Sequence, residues 1–290
     1  CEVPHPARAR PVLLTSAGRY GTMVSDIRLT FAPDGTLAGH RADNVIVQGE
    51  GFTSGAASVP VAPSFPRFAV DSATKALVDR YVAAAAPQAA RVVGKLAGAV
   101  TRTETEDREQ TAGNLVADAQ LAASRTHGAQ VAFINSGGAR TDLVPAADGS
   151  VTYGQIFAMQ PFGNNLVVKT LTGAQLKALL EQQFASGANT ASRPNMLLAS
   201  DGFFFAYDLG RPAGDRIVDM RLAGRRIDPA ARYRVTVNHF LASGGDNFTV
   251  LAQGTGTVDA GLDLDALEAW LRPGARVPEL GRIDDRTSRP

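Results

Sequence analysis

Cysteine is almost absent from this sequence of 290 residues. Its one cysteine, Cys1, excludes an internal disulfide. A first-position cysteine is also where bacterial lipoproteins carry their lipid, but we favour a chain that begins inside a longer protein. No apolar run approaches the roughly 20 residues that cross a bilayer, and no basic segment followed by an apolar one opens the chain as a signal peptide.

Charge of one sign is lacking as well. Lys and Arg number 29 against 28 Asp and Glu, for a formal net charge of +1. Such a balance argues against a nucleic acid polymer or an anionic membrane as partner. Histidine is scarce, and its four copies have no spacing typical of metal ligands. We therefore expect no metal ion in this chain, whose histidines are His5, His40, His127 and His239.

The remaining pattern predicts an α/β (α+β) fold, because short β-branched segments alternate with amphipathic ones. Residues 11–50 have the composition of strands and turns, and residues 51–68 that of a linker. A helix from Ala73 follows, capped by Asp71 or Ser72 and ended by Pro87. Later helices are predicted at residues 111–125, 173–184 and 264–271, and the second of these opens with a capping box from Thr172 to Gln175.

Two loops that follow or precede apolar segments carry groups suited to a ligand. In NSGGAR, residues 135–140, the paired glycines can present amides to an anion and Arg140 can bind phosphate or carboxylate. In QPFGNN, residues 160–165, a turn holds Phe162, and Asn164 offers both a donor and an acceptor. The alternatives are an ordinary turn with a surface arginine, and a phenylalanine folded back on the core.

Two further loops complete the set. SDGF, residues 200–203, contains Gly202, which would let a flat group lie close to the backbone, although an ordinary turn is favoured. NHFLASGGDNF, residues 238–248, contains Phe240 and, beyond two glycines, Asp246. A carboxylate there suits the vicinal hydroxyls of a ribose, whereas the alternative is an Asx turn.

Taken together, the four loops supply an anion-binding arginine, two loop aromatics, an amide and a carboxylate. This inventory fits a nucleotide, because two rings can sandwich a base, at about 1–3 kcal/mol for each stacking contact. The order and spacing of NSGGAR, PFGNN and NHFLASGGDNF resemble those of the C-terminal domain of the bacterial and animal 5′-nucleotidases. The resemblance runs from about residue 92 to 283 and includes GNLVADA, residues 113–119.

The resemblance implies a domain organisation. Residues 91–290 would be the substrate-binding domain, with a mixed sheet and flanking helices like those of the 5′-nucleotidase C-terminal domain. Residues 51–90 would be a linker and an interdomain helix. Residues 1–50 would be the β-rich C-terminal remnant of a calcineurin-like metallophosphoesterase domain.

The resemblance also implies roles for single residues. Phe162 and Phe240 would stack on the base, Asn164 would contact the base edge, and Asp246 would bind the ribose hydroxyls. Residues implied near the ribose, the phosphate and the base are Asn135, Arg140 and Gly202. The sequence departs from the family upstream of the GNL motif: Arg102 fits one expected arginine, but Glu106 stands at the other position and Arg108 lies only nearby.

In such enzymes two divalent metal ions, held by DxH, GNH and GHxH motifs of the N-terminal domain, act on the phosphate. None of these motifs occurs here, so we expect no catalytic residue in this chain and no hydrolysis by it alone. The full-length protein would be a periplasmic, secreted or cell-surface hydrolase that converts nucleoside 5′-phosphates or related nucleotides to nucleoside and phosphate. The alternatives are a non-catalytic nucleotide-binding module and a structural domain with a vestigial pocket. Base preference, metal identity and oligomeric state stay open.

Overall fold

The computed structural model describes residues 2–4, 12–18, 20–54 and 57–287. The chain forms two compact units, Cys1–Ala84 and Ala85–Pro290. Cys1 and His5, on which two of the expectations above rest, lie outside the described residues. The division at Ala84 differs from the predicted boundaries after residues 50 and 90, and those boundaries remain a prediction.

The first unit consists of antiparallel strand pairs and most of one long helix. β1 (Glu2–Val3) pairs with β2 (Val12–Leu13), β3 (Met23–Phe31) with β4 (Leu37–Ile46), and β5 (Phe52–Ser54) with β6 (Ala57–Val59). β3 and β4 both lie within residues 11–50, where the sequence predicts strands and turns, and a turn at residues 33–35 joins them. Part of the linker-like stretch is a hairpin, because strand pairing needs backbone hydrogen bonds rather than an apolar composition.

Helix α1 spans Ser72–Ala90, and Asp71 caps it. The backbone N–H of Thr74 donates to Asp71 Oδ1 at 2.7 Å, and this bond lowers the pKa of the carboxyl group. The prediction that Pro87 ends the helix is wrong, because Pro87 lies inside it. A proline removes its own N–H and strains one turn, and here the chain keeps its helical path for three more residues.

The second unit contains the remaining helices and strands. Its helices are α2 (Thr111–Ser124), α3 (Tyr153–Met159), α4 (Gly173–Glu181), α5 (His239–Ala242) and α6 (Asp263–Leu271). Its first strands are β7 (Val92–Lys95), β8 (Val131–Asn135), β9 (Ser150–Thr152), β10 (Asn165–Thr172), β11 (Ala185–Ser186), β12 (Asn189–Thr190) and β13 (Leu197–Ala199). The others are β14 (Phe203–Tyr207), β15 (Ile217–Leu222), β16 (Arg225–Arg226), β17 (Arg232–Asn238), β18 (Thr255–Leu262) and β19 (Ile283–Asp285).

A five-stranded sheet in the order β13-β8-β17-β10-β18 organises this unit. β8 and β17 are parallel, whereas β13, β10 and β18 run antiparallel to their neighbours. A second sheet has the order β16-β15-β14-β19. Between and around them lies a continuous apolar core. Helix α4 ends at Glu181 rather than at the predicted residue 184, and it contributes Leu176, Leu179 and Leu180 at helical spacing. Phe184 is buried in the same core just beyond the helix.

The mixed sheets with flanking helices confirm the predicted α/β class. The capping box at the start of α4 is also confirmed: the backbone N–H of Gln175 donates to Thr172 Oγ1 at 3.1 Å, and that of Thr172 donates to Gln175 Oε1 at 2.9 Å. An unpredicted second capping box, Thr152 with Gln155, opens α3.

Candidate functional site

Three of the four loops lie together at one end of the five-stranded sheet, the end at which β8 and β17 finish. β8 ends at Asn135 and the parallel β17 ends at Asn238, so the loops that follow both strands begin at the same end of the sheet. The antiparallel β10 begins there, since Leu166 pairs with Asn238. Asn165 in turn pairs with Leu262, so β18 finishes and α6 begins at this same end of the sheet.

These loops enclose a cavity of about 550 Å³, a size within the range of small-molecule sites. It contains most of the residues that the sequence singles out, although they lie up to 111 positions apart along the chain. The lining residues are Asn135, Gly137, Gly138, Arg140, Phe162, Asn164, Asn238, Phe240 and Asp246.

Phe240 is placed in the cavity by the short helix α5. Asn238 caps this helix, its Oδ1 accepting from the backbone N–H of Leu241 at 2.8 Å. The ring of Phe240 remains half exposed. It lies directly against Gly245, where an added Cβ would sit only 2.6 Å from both the ring Cζ and the Phe240 carbonyl oxygen. Gly245 is therefore required for the ring to occupy this position.

Phe162 reaches the cavity from the turn before β10. Gly163 follows it with a φ of +61°, in the left-handed region that glycine tolerates. The ring is half exposed, which corrects the alternative that Phe162 is folded back on the core. The guanidinium carbon of Arg140 lies 5.7 Å from its centroid, a cation–π contact that joins the first loop to the second.

Asp246 is held by a buried amide. Asn135 Nδ2 donates to Asp246 Oδ2 at 2.7 Å, which leaves the other carboxylate oxygen available to a ligand. Asn135 is buried, and its Oδ1 has no hydrogen-bond partner among the described residues. An unpaired buried acceptor is costly, so the position of Asn135 must be stabilised by its other contacts, among them the bond to Asp246.

Asn164 is fixed by the start of α6. Its backbone carbonyl accepts from the N–H of Asp263 at 2.9 Å. Burial raises the pKa of the Asp263 carboxyl group, and hydrogen bonds from the Leu264 backbone and the Asn164 side chain partly offset this effect. The backbone of Asn164 is thus held by the start of α6, and Asn164 lines the cavity.

Two arginines lie at the end of the site beside the Gly-Gly turn. Arg140 Nη1 donates to the Gly137 carbonyl at 3.3 Å, and Arg102 Nη1 donates to the Arg140 carbonyl at 3.2 Å. Arg102 is therefore next to the cavity rather than in its lining. Arg108 has Glu104 as an ion-pair partner at 3.9 Å.

Gly202 lies away from this cavity. Because β13 runs antiparallel to β8, its end lies beside the start of β8, where the Ser200 N–H donates to the Ala132 carbonyl at 2.9 Å. Gly202 is in the turn after Ser200, near the start of β8, whereas Asn135 lies at the other end of that strand. We therefore leave Gly202 out of the proposed site.

Sequence reasoning gave no role to Asn238, although NHFLASGGDNF contains it. An asparagine directly before a short helical segment is a typical N-cap, and that signal could have placed it. In the part of the chain that the structure describes, no cluster of three or more His, Cys, Asp or Glu side chains could hold a metal ion.

Comparison with known proteins decides the family. Residues 92–253 match the family described as "5'-nucleotidase, C-terminal domain". The chain belongs to this family. The matched range contains every residue that lines the cavity.

Members and relatives of this 5′-nucleotidase domain family include much longer proteins. The trifunctional nucleotide phosphoesterase protein YfkN of Bacillus subtilis is 31% identical over 166 residues, which are 55% of this chain and 11% of that protein. The cell wall protein Lmo0130 of Listeria monocytogenes is 33% identical over 153 residues, 50% of this chain and 19% of that protein. The chain thus spans only a small part of these relatives.

A solved structure resembles the whole chain. The 5′-nucleotidase precursor from Thermus thermophilus superimposes with a TM-score of 0.66 at 29% identity, over 100% of this chain and 54% of that one. The likeness supports the mixed α/β fold and includes the first unit. Among the described residues, no helix is both long and apolar enough to cross a bilayer.

Proposed function

We propose that this chain is the nucleotide-recognition part of a 5′-nucleotidase. What carries the proposal is one observation: two half-exposed rings, an asparagine amide, a part-buried amide–carboxylate pair and an arginine line a single cavity. Each of these groups suits a different part of a nucleotide. Chance packing gives no reason for all of them to meet at one end of the sheet.

The base would lie between Phe162 and Phe240, whose exposed faces are available for stacking. Asn164 would read the base edge with its amide. The ribose hydroxyls would donate to Asp246, and Asn135 would hold that carboxylate in place. The phosphate would point towards Arg140, with Arg102 adding positive charge from behind.

In the full-length protein we expect hydrolysis of nucleoside 5′-phosphates, or related nucleotides, to nucleoside and phosphate. The family and the names of the relatives support a hydrolase. We place the two divalent metal ions outside the described residues, since those offer no fitting ligand set. A location at the cell surface or in the periplasm is supported by the cell wall relative.

A second candidate is a nucleotide-binding module without hydrolytic activity. The cavity lining alone would serve such a module, because binding needs none of the metal ligands that hydrolysis needs. The complete cavity lining argues against a structural domain with a decayed pocket.

Two measurements test these proposals. Isothermal titration of the 290-residue chain with adenosine and with AMP should show binding of both, and no heat with either would refute nucleotide recognition. Phosphate release from AMP with Mn²⁺, Zn²⁺ or Co²⁺ should occur with the complete gene product and not with this chain. Hydrolysis by the chain alone would refute a separate metal site, and a complete product that binds without hydrolysing would favour the binding module.

A further inference from the structure

The backbone around Asp246 adopts an unusual conformation. Asp246 and Asn247 have φ values of +52° and +66°, two consecutive non-glycine residues in the left-handed region, directly after Gly245. Asp and Asn tolerate this region better than other residues, but a pair in succession persists only where surrounding contacts enforce it. The contacts that enforce it identify residues on which the direction of the Asp246 carboxylate depends.

Those contacts come from the β11–β12 hairpin, a segment outside the cavity. Ser186 Oγ donates to the Asn247 carbonyl at 2.7 Å, and Asn189 Nδ2 donates to the Asp246 carbonyl at 2.8 Å. Ser186 and Asn189 face each other across the hairpin. Two paired residues of one hairpin thus bind the carbonyls of the two strained residues.

The turn of the hairpin packs closely on the same loop. Gly187, between the two donors, has a φ of +56°, and a Cβ added there would overlap the side-chain amide of Asn247. Because Gly187 has no side chain, the hairpin can lie directly against the side chain of Asn247. This close approach brings both donors within hydrogen-bond distance.

The hairpin is itself anchored on α4. Asn189 Nδ2 also donates to the Gln182 carbonyl at 3.1 Å, just beyond the helix end. Gln182 then binds the loop after Asp246 with both ends of its amide: Nε2 donates to Thr249 Oγ1 at 2.7 Å, and Oε1 accepts from the Val250 N–H at 3.1 Å. Because α4 packs into the core through buried leucines, this network fixes the loop to a rigid element.

We propose that Asn189, assisted by Ser186, is a positioning residue that aims the Asp246 carboxylate at the ribose hydroxyls. This inference rests on the proposed function. Asn135 fixes the carboxylate from the cavity side, and Asn189 fixes the backbone of the same residue from the hairpin side. Asn189 is buried and does not line the cavity, so any effect that it has on a ligand must pass through the loop that carries Asp246.

The test compares a nucleoside with its 2′,3′-dideoxy analogue, which keeps the base and loses both hydroxyls. Adenosine and 2′,3′-dideoxyadenosine are titrated into wild type, Asn189→Ala and the control Ser192→Ala, a serine of the same region. We expect Asn189→Ala to bind adenosine about tenfold more weakly, because charge-assisted hydrogen bonds depend steeply on geometry. Asn189→Ala should bind dideoxyadenosine with the same affinity as wild type, so its preference for the ribonucleoside falls about tenfold. Ser192→Ala should bind both ligands with the wild-type affinities.

Ser186→Ala keeps the inference testable if Asn189→Ala fails to fold, because it removes only the bond to the Asn247 carbonyl. It should lower the same preference by about threefold, in line with the loss of one neutral hydrogen bond. Variants that keep the wild-type preference, or that weaken both ligands equally, would overturn the positioning role alone. A wild type that binds neither ligand would overturn the proposed function and this inference together.

Discussion

Removal of the Phe240 ring is the most direct test of the nucleoside site. Phe240→Ala deletes one of the two rings that line the cavity. Stacking of a base on an aromatic side chain is worth about 1–3 kcal/mol. Since about 1.4 kcal/mol corresponds to tenfold in Kd, adenosine should bind about 5- to 140-fold more weakly, with about 30-fold as the central value.

The cost to stability should be modest, because the ring is already 45% exposed. Full burial of a phenylalanine contributes about 1.5–3 kcal/mol, so roughly half of that, about 1–1.5 kcal/mol, is at stake here. The variant should therefore remain folded under binding conditions. Thermal unfolding measured alongside the titration checks this expectation.

Phe157→Ala is the matched control. Phe157 is 49% exposed and stacks on Tyr153 with centroids 6.4 Å apart, but it does not line the cavity. Its loss should lower the free energy of unfolding by a similar amount and leave the Kd for adenosine unchanged. An unchanged Kd for Phe240→Ala, or equal weakening in both variants, would refute the stacking of a base on Phe240.

Three further substitutions test other parts of the structure. Gly245→Ala should weaken adenosine binding about as much as loss of the ring, because its Cβ would displace the ring of Phe240; titration at the wild-type Kd would contradict this close contact. Arg140→Ala should lower the affinity for AMP at least about tenfold more than that for adenosine, since bonds between charged groups are worth about 1.5–3 kcal/mol; equal losses would argue against contact between Arg140 and the phosphate. Arg91 donates twice to Glu268, at 2.8 and 2.7 Å, and these bonds lower the pKa of that carboxyl group below its ordinary value. Arg91→Met should therefore lower the free energy of unfolding slightly at neutral pH, since the Arg91 side chain is 41% exposed and solvent screens the pair, although Glu268 is only 15% exposed. The difference from wild type should shrink as the pH falls through the lowered pKa of Glu268; a difference independent of pH would refute the ion pair as its source.

Local patterns in the sequence predicted those elements that depend on residues close together along the chain. The capping box of α4 and the Asp71 cap of α1 depend on side chains within three or four positions of each other. The buried face of α4 follows from helical spacing. In contrast, β18 was not predicted as a strand, because most of its side chains are exposed at the edge of the sheet and give no apolar alternation.

The sequence by itself determined which chemical groups are present and how their loops are ordered, because PFGNN and NHFLASGGDNF are contiguous motifs. Only the tertiary structure decided which of them meet. The directions of the strands bring Asn135, Asn164 and Asp246 to one end of the sheet. The antiparallel direction of β13 places Gly202 at the other end. Nothing local to Asp246 identifies Asn189 as its support, since that contact joins residues 57 positions apart and depends on how a hairpin packs against a loop.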